Sequence, residues 1–252
     1  MRANISVLPL LISSLLASNA NAQTDVPIQI DGDLGGAVFA SQGIVRGQGV
    51  TETVLPYAYL DAGRFYARMD TFGVKAFPLA YGYMEFSGRV SLEGYRASDT
   101  SLHGIDDRGN PLPLGIGSYQ ETPIGAFFLY AFHDLTSSGS LLEMSYATEL
   151  DVGRWTLYPQ LGVERRSARY VQHLYGVSSA ESNTSGMPIY QPGGSTTPVL
   201  ALAAEMPVSN RLNLNIQWRR EWLDAAIDHS PLVNRRQQDT GFIALSYHFK
   251  PL

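Results

Sequence analysis

Residues 81 to 95 read Tyr81-Gly82-Tyr83-Met84-Glu85-Phe86-Ser87-Gly88-Arg89-Val90-Ser91-Leu92-Glu93-Gly94-Tyr95. Every odd position is polar or tyrosine, and no even position carries a charge. A β-strand sends successive side chains to opposite faces, so this period of two makes a two-faced strand. A soluble antiparallel sheet shows the same alternation, but the run is about as long as a membrane-crossing strand, with a polar file for a lumen and an apolar file for lipid.

Other segments repeat the pattern. Trp155, Leu157, Pro159, Leu161 and Val163 alternate with Thr156, Tyr158, Gln160, Gly162 and Glu164, and Leu212, Leu214, Ile216 and Trp218 alternate with Arg211, Asn213, Asn215, Gln217 and Arg219. Charges on one file can pair or be hydrated in a lumen, whereas Arg or Lys on the lipid face costs about 2–4 kcal/mol at the midplane. The lumen file is therefore expected to hold Glu85, Arg89, Glu93, Glu143, Glu149, Arg211 and Arg219. Residues 123–134 break the rule, since Phe127 to Phe132 are apolar on both faces. Trp155, Trp222, Tyr247 and Phe249 sit where two interfacial aromatic girdles belong.

Turn signals divide the chain into strands at about 33–43, 52–61, 64–70, 72–77, 81–96, 112–120, 123–134, 139–150, 154–169, 196–206, 211–224 and 239–249. The expectation is an all-β, antiparallel transmembrane outer-membrane β-barrel of about 12 strands. Merging the third with the fourth and the sixth with the seventh gives the alternative of 10, which Glu121-Thr122-Pro123 disfavours. Tight turns at Asp61-Ala62-Gly63, Asp151-Val152-Gly153 and Pro207-Val208-Ser209-Asn210 alternate with long connections at 97–111, 170–195 and 225–238. Short periplasmic turns and longer outer loops give that rhythm.

The N-terminus agrees. Residues 1–22 read as a signal peptide, with Arg2, an apolar run from Ile5 to Leu16 and the small-residue site Ala20-Asn21-Ala22. Residues 23–252 then form one domain. Without the signal, 17 basic residues face 23 acidic ones, a formal charge of −6 that argues against nucleic acid. Cysteine is absent, so disulfides play no part.

No cofactor or metal is expected: there is no His-x-x-x-His pair, Cys pair or spaced Asp loop. A rim-located lipid acyl hydrolase or transferase is one rival, resting on Ser178 and Ser179 near His173, but no Gly-x-Ser-x-Gly elbow supports it. The other rival is a narrow or gated pore. Arg165, Arg166 and Arg169 cluster where a strand leaves the outer surface, and guanidinium groups suit the phosphates of lipopolysaccharide.

The loop Tyr175-Gly176-Val177-Ser178, followed by Ala180-Glu181-Ser182 and Ser185-Gly186-Met187-Pro188-Ile189-Tyr190, resembles the signature loop of the MipA/OmpV family of Gram-negative outer-membrane proteins. Ser230-Pro231-Leu232-Val233 and the closing Ala244-Leu245-Ser246-Tyr247-His248-Phe249 resemble further family segments. Two departures are Lys250-Pro251-Leu252 after the last aromatic, and Ile44-Val45-Arg46-Gly47 in the first loop where the family has Tyr-x-Gly-Ser. The resemblance implies an outer-membrane location and a non-enzymatic scaffold for a lytic transglycosylase and a murein synthase in the periplasm. Physically, Gly176 and Gly186 free the backbone, Pro188 stiffens it, and Tyr175 and Tyr190 are rigid plates. The loop therefore reads as a cap over the barrel mouth, with a dedicated binding site as the alternative.

Overall fold

The structure is a computed structural model and describes residues 30–249; the signal peptide, residues 23–29 and the tail Lys250 to Leu252 lie outside the described residues. The strands are β1 (Ile30–Gln42), β2 (Val50–Ala62), β3 (Phe65–Arg68), β4 (Thr71–Leu79), β5 (Gly82–Arg89), β6 (Pro113–Thr122), β7 (Gly125–Asp134), β8 (Ser140–Ala147), β9 (Leu150–Val152), β10 (Trp155–Arg166), β11 (Ser195–Pro207), β12 (Leu212–Trp222) and β13 (Gln237–Phe249). Apart from β8 and β9, each pairs antiparallel with its chain neighbours, and β13 pairs with β1. Both β8 and β9 pair with β10, so they are two pieces of one wall strand interrupted at Thr148-Glu149. The result is a closed antiparallel barrel of twelve strands.

Twelve prevails over ten because β3 and β4 remain separate strands, joined by a tight turn at Met69-Asp70 with Met69 at φ 56°. The strand over residues 81 to 95 stops at Arg89 rather than running to residue 96; beyond it Val90 and Leu92 remain exposed, while Tyr95 is buried in the apolar core of the outer loops.

The two files separate as the periodicity requires. Leu34, Val38, Val54, Phe86, Leu161, Ile243 and Leu245 are exposed on the outer face, while Asp33, Glu85, Ser87, Ser145, Glu164 and Asn215 are buried inside. The anomalous β7 is explained by what it meets on each side. Leu129 faces outward, while Tyr130 and Phe132 point in, join the buried apolar cluster and stack at 5.6 Å. The aromatic girdle residues Trp222 and Tyr247 are exposed outward. Tyr247 packs edge-on against Phe249 at 4.9 Å.

Three helices occupy what the sequence presents as loops: α1 (Ala168–Tyr175), α2 (Ser179–Ser185) and α3 (Ala225–Asp228). In α1, Tyr170, Val171, Leu174 and Tyr175 form one buried stripe. They join Ile44, Val45, Leu102, Ile105, Leu223, Ile227, Leu232 and Val233 in an apolar core built from all four long outer loops. The mouth of the barrel is thus closed by a small domain-like cap with its own hydrophobic centre.

Candidate functional site: a capped and ion-paired lumen

Beneath the cap lies a layer of charge. On the β3–β5 side, Arg68 Nη1 donates to Glu85 Oε1 and Oε2 at 3.0 Å each, and the Tyr130 hydroxyl donates to Glu85 Oε2 at 3.0 Å. Tyr66 bonds the Ser87 hydroxyl at 2.6 Å, and the Arg68 guanidinium lies 4.1 Å from the Tyr66 ring centre. Further round, Arg89 pairs with Glu143 across the lumen. Arg166 Nη2 sits 2.8 Å from Glu164, 3.4 Å from Glu93 and 3.7 Å from Glu221. Arg219 pairs with Glu164 and, at 3.0 Å, with Glu221. Tyr170 of α1 reaches down to Glu93 at 2.9 Å, tying cap to charge layer. Isolated buried charges would be costly, and this mutual pairing is what lets them stay charged inside.

Of the expected lumen charges, Glu85, Arg89, Glu93, Glu143 and Arg219 are in this network. Arg211 is corrected: the hairpin before β12 swings it outward, where Nη1 donates to the Tyr247 hydroxyl at 2.7 Å. Glu149 lies in the break between β8 and β9, is exposed and joins no ion pair among the described residues, while the register shared by β8 and β9 against β10 keeps it on the same file as Glu143, opposite Tyr158. Arg166 is a second correction. It shares the inward file with Glu164 and is buried among three carboxylates, so it does not face lipopolysaccharide; Arg165 and Arg169 are exposed. Arg68 and Glu221 are the members that the sequence reading missed, and Glu164 stands on the polar file where the alternation of its strand puts it.

The signature loop is a folding device. Ser178 accepts from the backbone N–H of Glu181 at 3.2 Å, and Glu181 Oε2 accepts from the N–H of Ser178 at 2.9 Å, a complete capping box at the start of α2. Val177 and Tyr190 form a two-residue bridge, with N–H to O distances of 2.9 and 3.0 Å. Gly176 ends α1 and Gly186 ends α2 at φ 73°, while Ser185 Oγ bonds back to the Glu181 carbonyl at 2.6 Å. Pro188 is exposed on the return, and the Tyr190 hydroxyl donates to the Ala226 carbonyl at 3.2 Å. Among the described residues no hydrogen bond joins Ser178 or Ser179 to His173: the Ser178 hydroxyl accepts from the Glu181 N–H, and the His173 ring bonds the Gly109 carbonyl at 2.9 Å.

Glu181 also locks this loop to the 90–112 loop. Its Oε1 takes Arg108 Nη2 at 2.6 Å and the Asp106 N–H at 3.1 Å. Burial alone would raise the Glu181 pKa, but the Ser178 and Asp106 N–H groups and Arg108 outweigh it and hold the carboxyl below its ordinary value. Burial pushes the Tyr95 phenol up to about 12, so it remains a donor, bonding the Leu174 carbonyl at 2.9 Å. Ser230 donates to the Tyr175 carbonyl at 2.6 Å, while Leu232 and Val233 are buried.

A family model described as MltA-interacting protein MipA matches residues 34–249, which is nearly the whole barrel with its cap. The chain belongs to the MipA family. Among curated MipA-like relatives, the YiaT protein of Escherichia coli (strain K12) is 22% identical over 221 residues, covering 86% of this chain and 90% of YiaT. The outer membrane protein OmpV of Vibrio cholerae is 26% identical over 154 residues, 60% of each chain. The MltA-interacting protein of Escherichia coli (strain K12) is 26% identical over 156 residues, 61% of this chain and 62% of that one. This MipA-family chain is an outer-membrane β-barrel.

Proposed function

We propose that this MipA-family barrel works without an open channel, as a membrane-embedded platform for murein-remodelling enzymes of the lytic transglycosylase and murein synthase classes. The observation that carries the reading is the double closure of the lumen, an apolar cap above a cross-lumen layer of ion pairs. A relative bearing the name MltA-interacting protein supports the choice of partner. The surface available in the periplasm is the ring of tight turns, where Tyr81, Ile124 and Val208 are at least half exposed beside the basic Arg64 and Arg154. Exposed apolar and aromatic side chains rimmed by charge suit protein contact. On the outer side, Arg165 and Arg169 are proposed for lipopolysaccharide phosphates.

The test is crosslinking in cells followed by capture of the tagged protein from outer membranes. A murein enzyme recovered with the wild type, and reduced about tenfold by Tyr81→Ala with Ile124→Asp, is the expected result. Capture with no murein enzyme overturns the platform. Reproducible single-channel steps in a planar bilayer overturn the closed lumen.

A further inference from the structure

The barrel wall has a gap on its outer half. The β3 strand is only four residues long and pairs with β2 at Tyr59 to Ala62. Above that, from Val50 to Tyr57, β2 is paired with β1 but has no strand on its other side. The Met69 N–H bonds the Ala58 carbonyl, so Ala58 turns its main-chain groups toward the gap, and by strand alternation Pro56, Val54 and Glu52 do the same. Among the described residues no hydrogen bond reaches those three from that side. The edge is blunted for strand addition, since Pro56 has no N–H to give and Glu52 brings a charge. The gap is bounded below by the Met69-Asp70 turn. Above it, Ser101 N–H bonds the Arg46 carbonyl at 3.1 Å and ties the loops 43–49 and 90–112 together as a lintel.

Behind this window lies a cavity of about 90 Å³, lined by the inward faces of β1 and β2 and by Leu92, Glu93 and Gly94. At roughly 10–15 Å³ for each water-sized group, that is room for about six or more heavy atoms. Its polar groups are the hydroxyls of Ser41, Thr51 and Thr53, the amides of Gln48 and Gln238, and one carboxylate. Phe39 and Tyr175 supply apolar faces. Glu93 Oε2 is buried in the cavity wall without a hydrogen-bond partner, and Arg166 at 3.4 Å already balances its charge. No cation lines the cavity to hold an anion, and a neutralised carboxylate has little need of one more cation. Gln238 already donates to the Ser41 hydroxyl at 3.2 Å and to the Gln42 carbonyl at 3.1 Å, so the groups left to bond a guest are the Thr51 and Thr53 hydroxyls, the Gln48 amide and Glu93 Oε2, which suit the hydroxyls of a small neutral molecule.

We propose that the gap beside β2 is a lateral window through which a small neutral polyol, of glycerol to pentose size, enters the cavity beneath the cap. The proposal does not depend on the platform function: the window opens on the outer half of the wall, and murein enzymes work on the other side.

The absence of cysteine makes the test clean. Thr53→Cys places a thiol at the cavity, and Val199→Cys places one on the inward face of β11, where the wall is paired on both sides. In folded protein, selected by its electrophoretic mobility before heating, a small water-soluble thiosulfonate is expected to label Thr53→Cys at least tenfold faster than Val199→Cys. Glycerol or xylose at high concentration is expected to slow that labelling. Adding six residues to each strand of the β3–β4 hairpin, enough to pair β2 from Tyr57 up to Glu52, is expected to abolish it. Equal rates at the two positions, or labelling untouched by the longer hairpin, overturn the window. Fast labelling indifferent to both polyols overturns the ligand. If the longer hairpin does not fold, the comparison of the two thiols still decides the question.

Discussion

Glu143 and Glu164 stand directly opposite one another across the β8–β10 ladder, both inside the barrel, with Arg89 on Glu143 and Arg219 on Glu164. Like charges so placed repel, and the pairing survives because the arginines arrive from β5 and β12. Replacing Arg89 with Met removes one of them and leaves two buried carboxylates facing each other. Unfolding in detergent, followed by the shift in gel mobility with temperature, is expected to show a loss of about 3–5 kcal/mol. Adding Glu143→Gln to Arg89→Met should recover most of it, since the repulsion then has no source. Equal stability of the single variant and the wild type would mean that the layer is hydrated and not a closure.

The cap should come apart without the barrel. Ser178→Ala removes one hydroxyl acceptor at the start of α2 and is expected to cost the cap about 1 kcal/mol. Glu181→Gln also strips Arg108 of its partner and should cost more. Limited trypsin digestion is the readout: cleavage after Arg108 should accelerate in both variants, more in Glu181→Gln, while the barrel keeps its folded mobility.

Acid should loosen the same joint. The Glu181 carboxyl is held below its ordinary value in the folded cap, so it binds its proton less readily there than in the opened loop. Its contribution is therefore complete above about pH 4.3, the ordinary value for glutamate, and fades as pH falls toward the lowered one. Amide exchange at α2, corrected for the intrinsic pH effect, should be flat from pH 7 to about 5 and rise below that. The Glu181→Gln variant should show no such step.

Strand number and facing could be read from the chain because both depend on a period of two that ten or so residues make plain. Where the period is short or interrupted, the reading fails for a definable reason. Arg68 lies in a strand of four residues, too few to establish its face. Arg211 precedes its strand by one residue and follows the hairpin instead. Arg166 keeps perfect register with Glu164, so its inward placement was available from spacing alone; clustering with Arg165 and Arg169 hid it. The helices of the cap left a weaker trace. Their clearest mark is Ser178-x-x-Glu181, a capping box that reads as a helix start once seen as such.

Gly186 isolates the conformational part of the signature loop. A Cβ there would meet no atom within 4 Å, yet the residue sits at φ 73°, so any cost of Gly186→Ala is backbone strain and not a clash. That cost is about 1–2 kcal/mol for an ordinary L-residue in the left-handed region. Asparagine tolerates the region better, so Gly186→Asn should lie between wild type and Gly186→Ala in the rate of cap proteolysis. Gly176 behaves oppositely. Its φ is ordinary at −77°, but a Cβ would fall on the Gln172 side chain and 2.7 Å from the Gln172 carbonyl, so Gly176→Ala with Gln172→Ala should be better tolerated than Gly176→Ala alone without reaching wild type. If the double variant opened as readily as the single one, the contact would not be what excludes a side chain there.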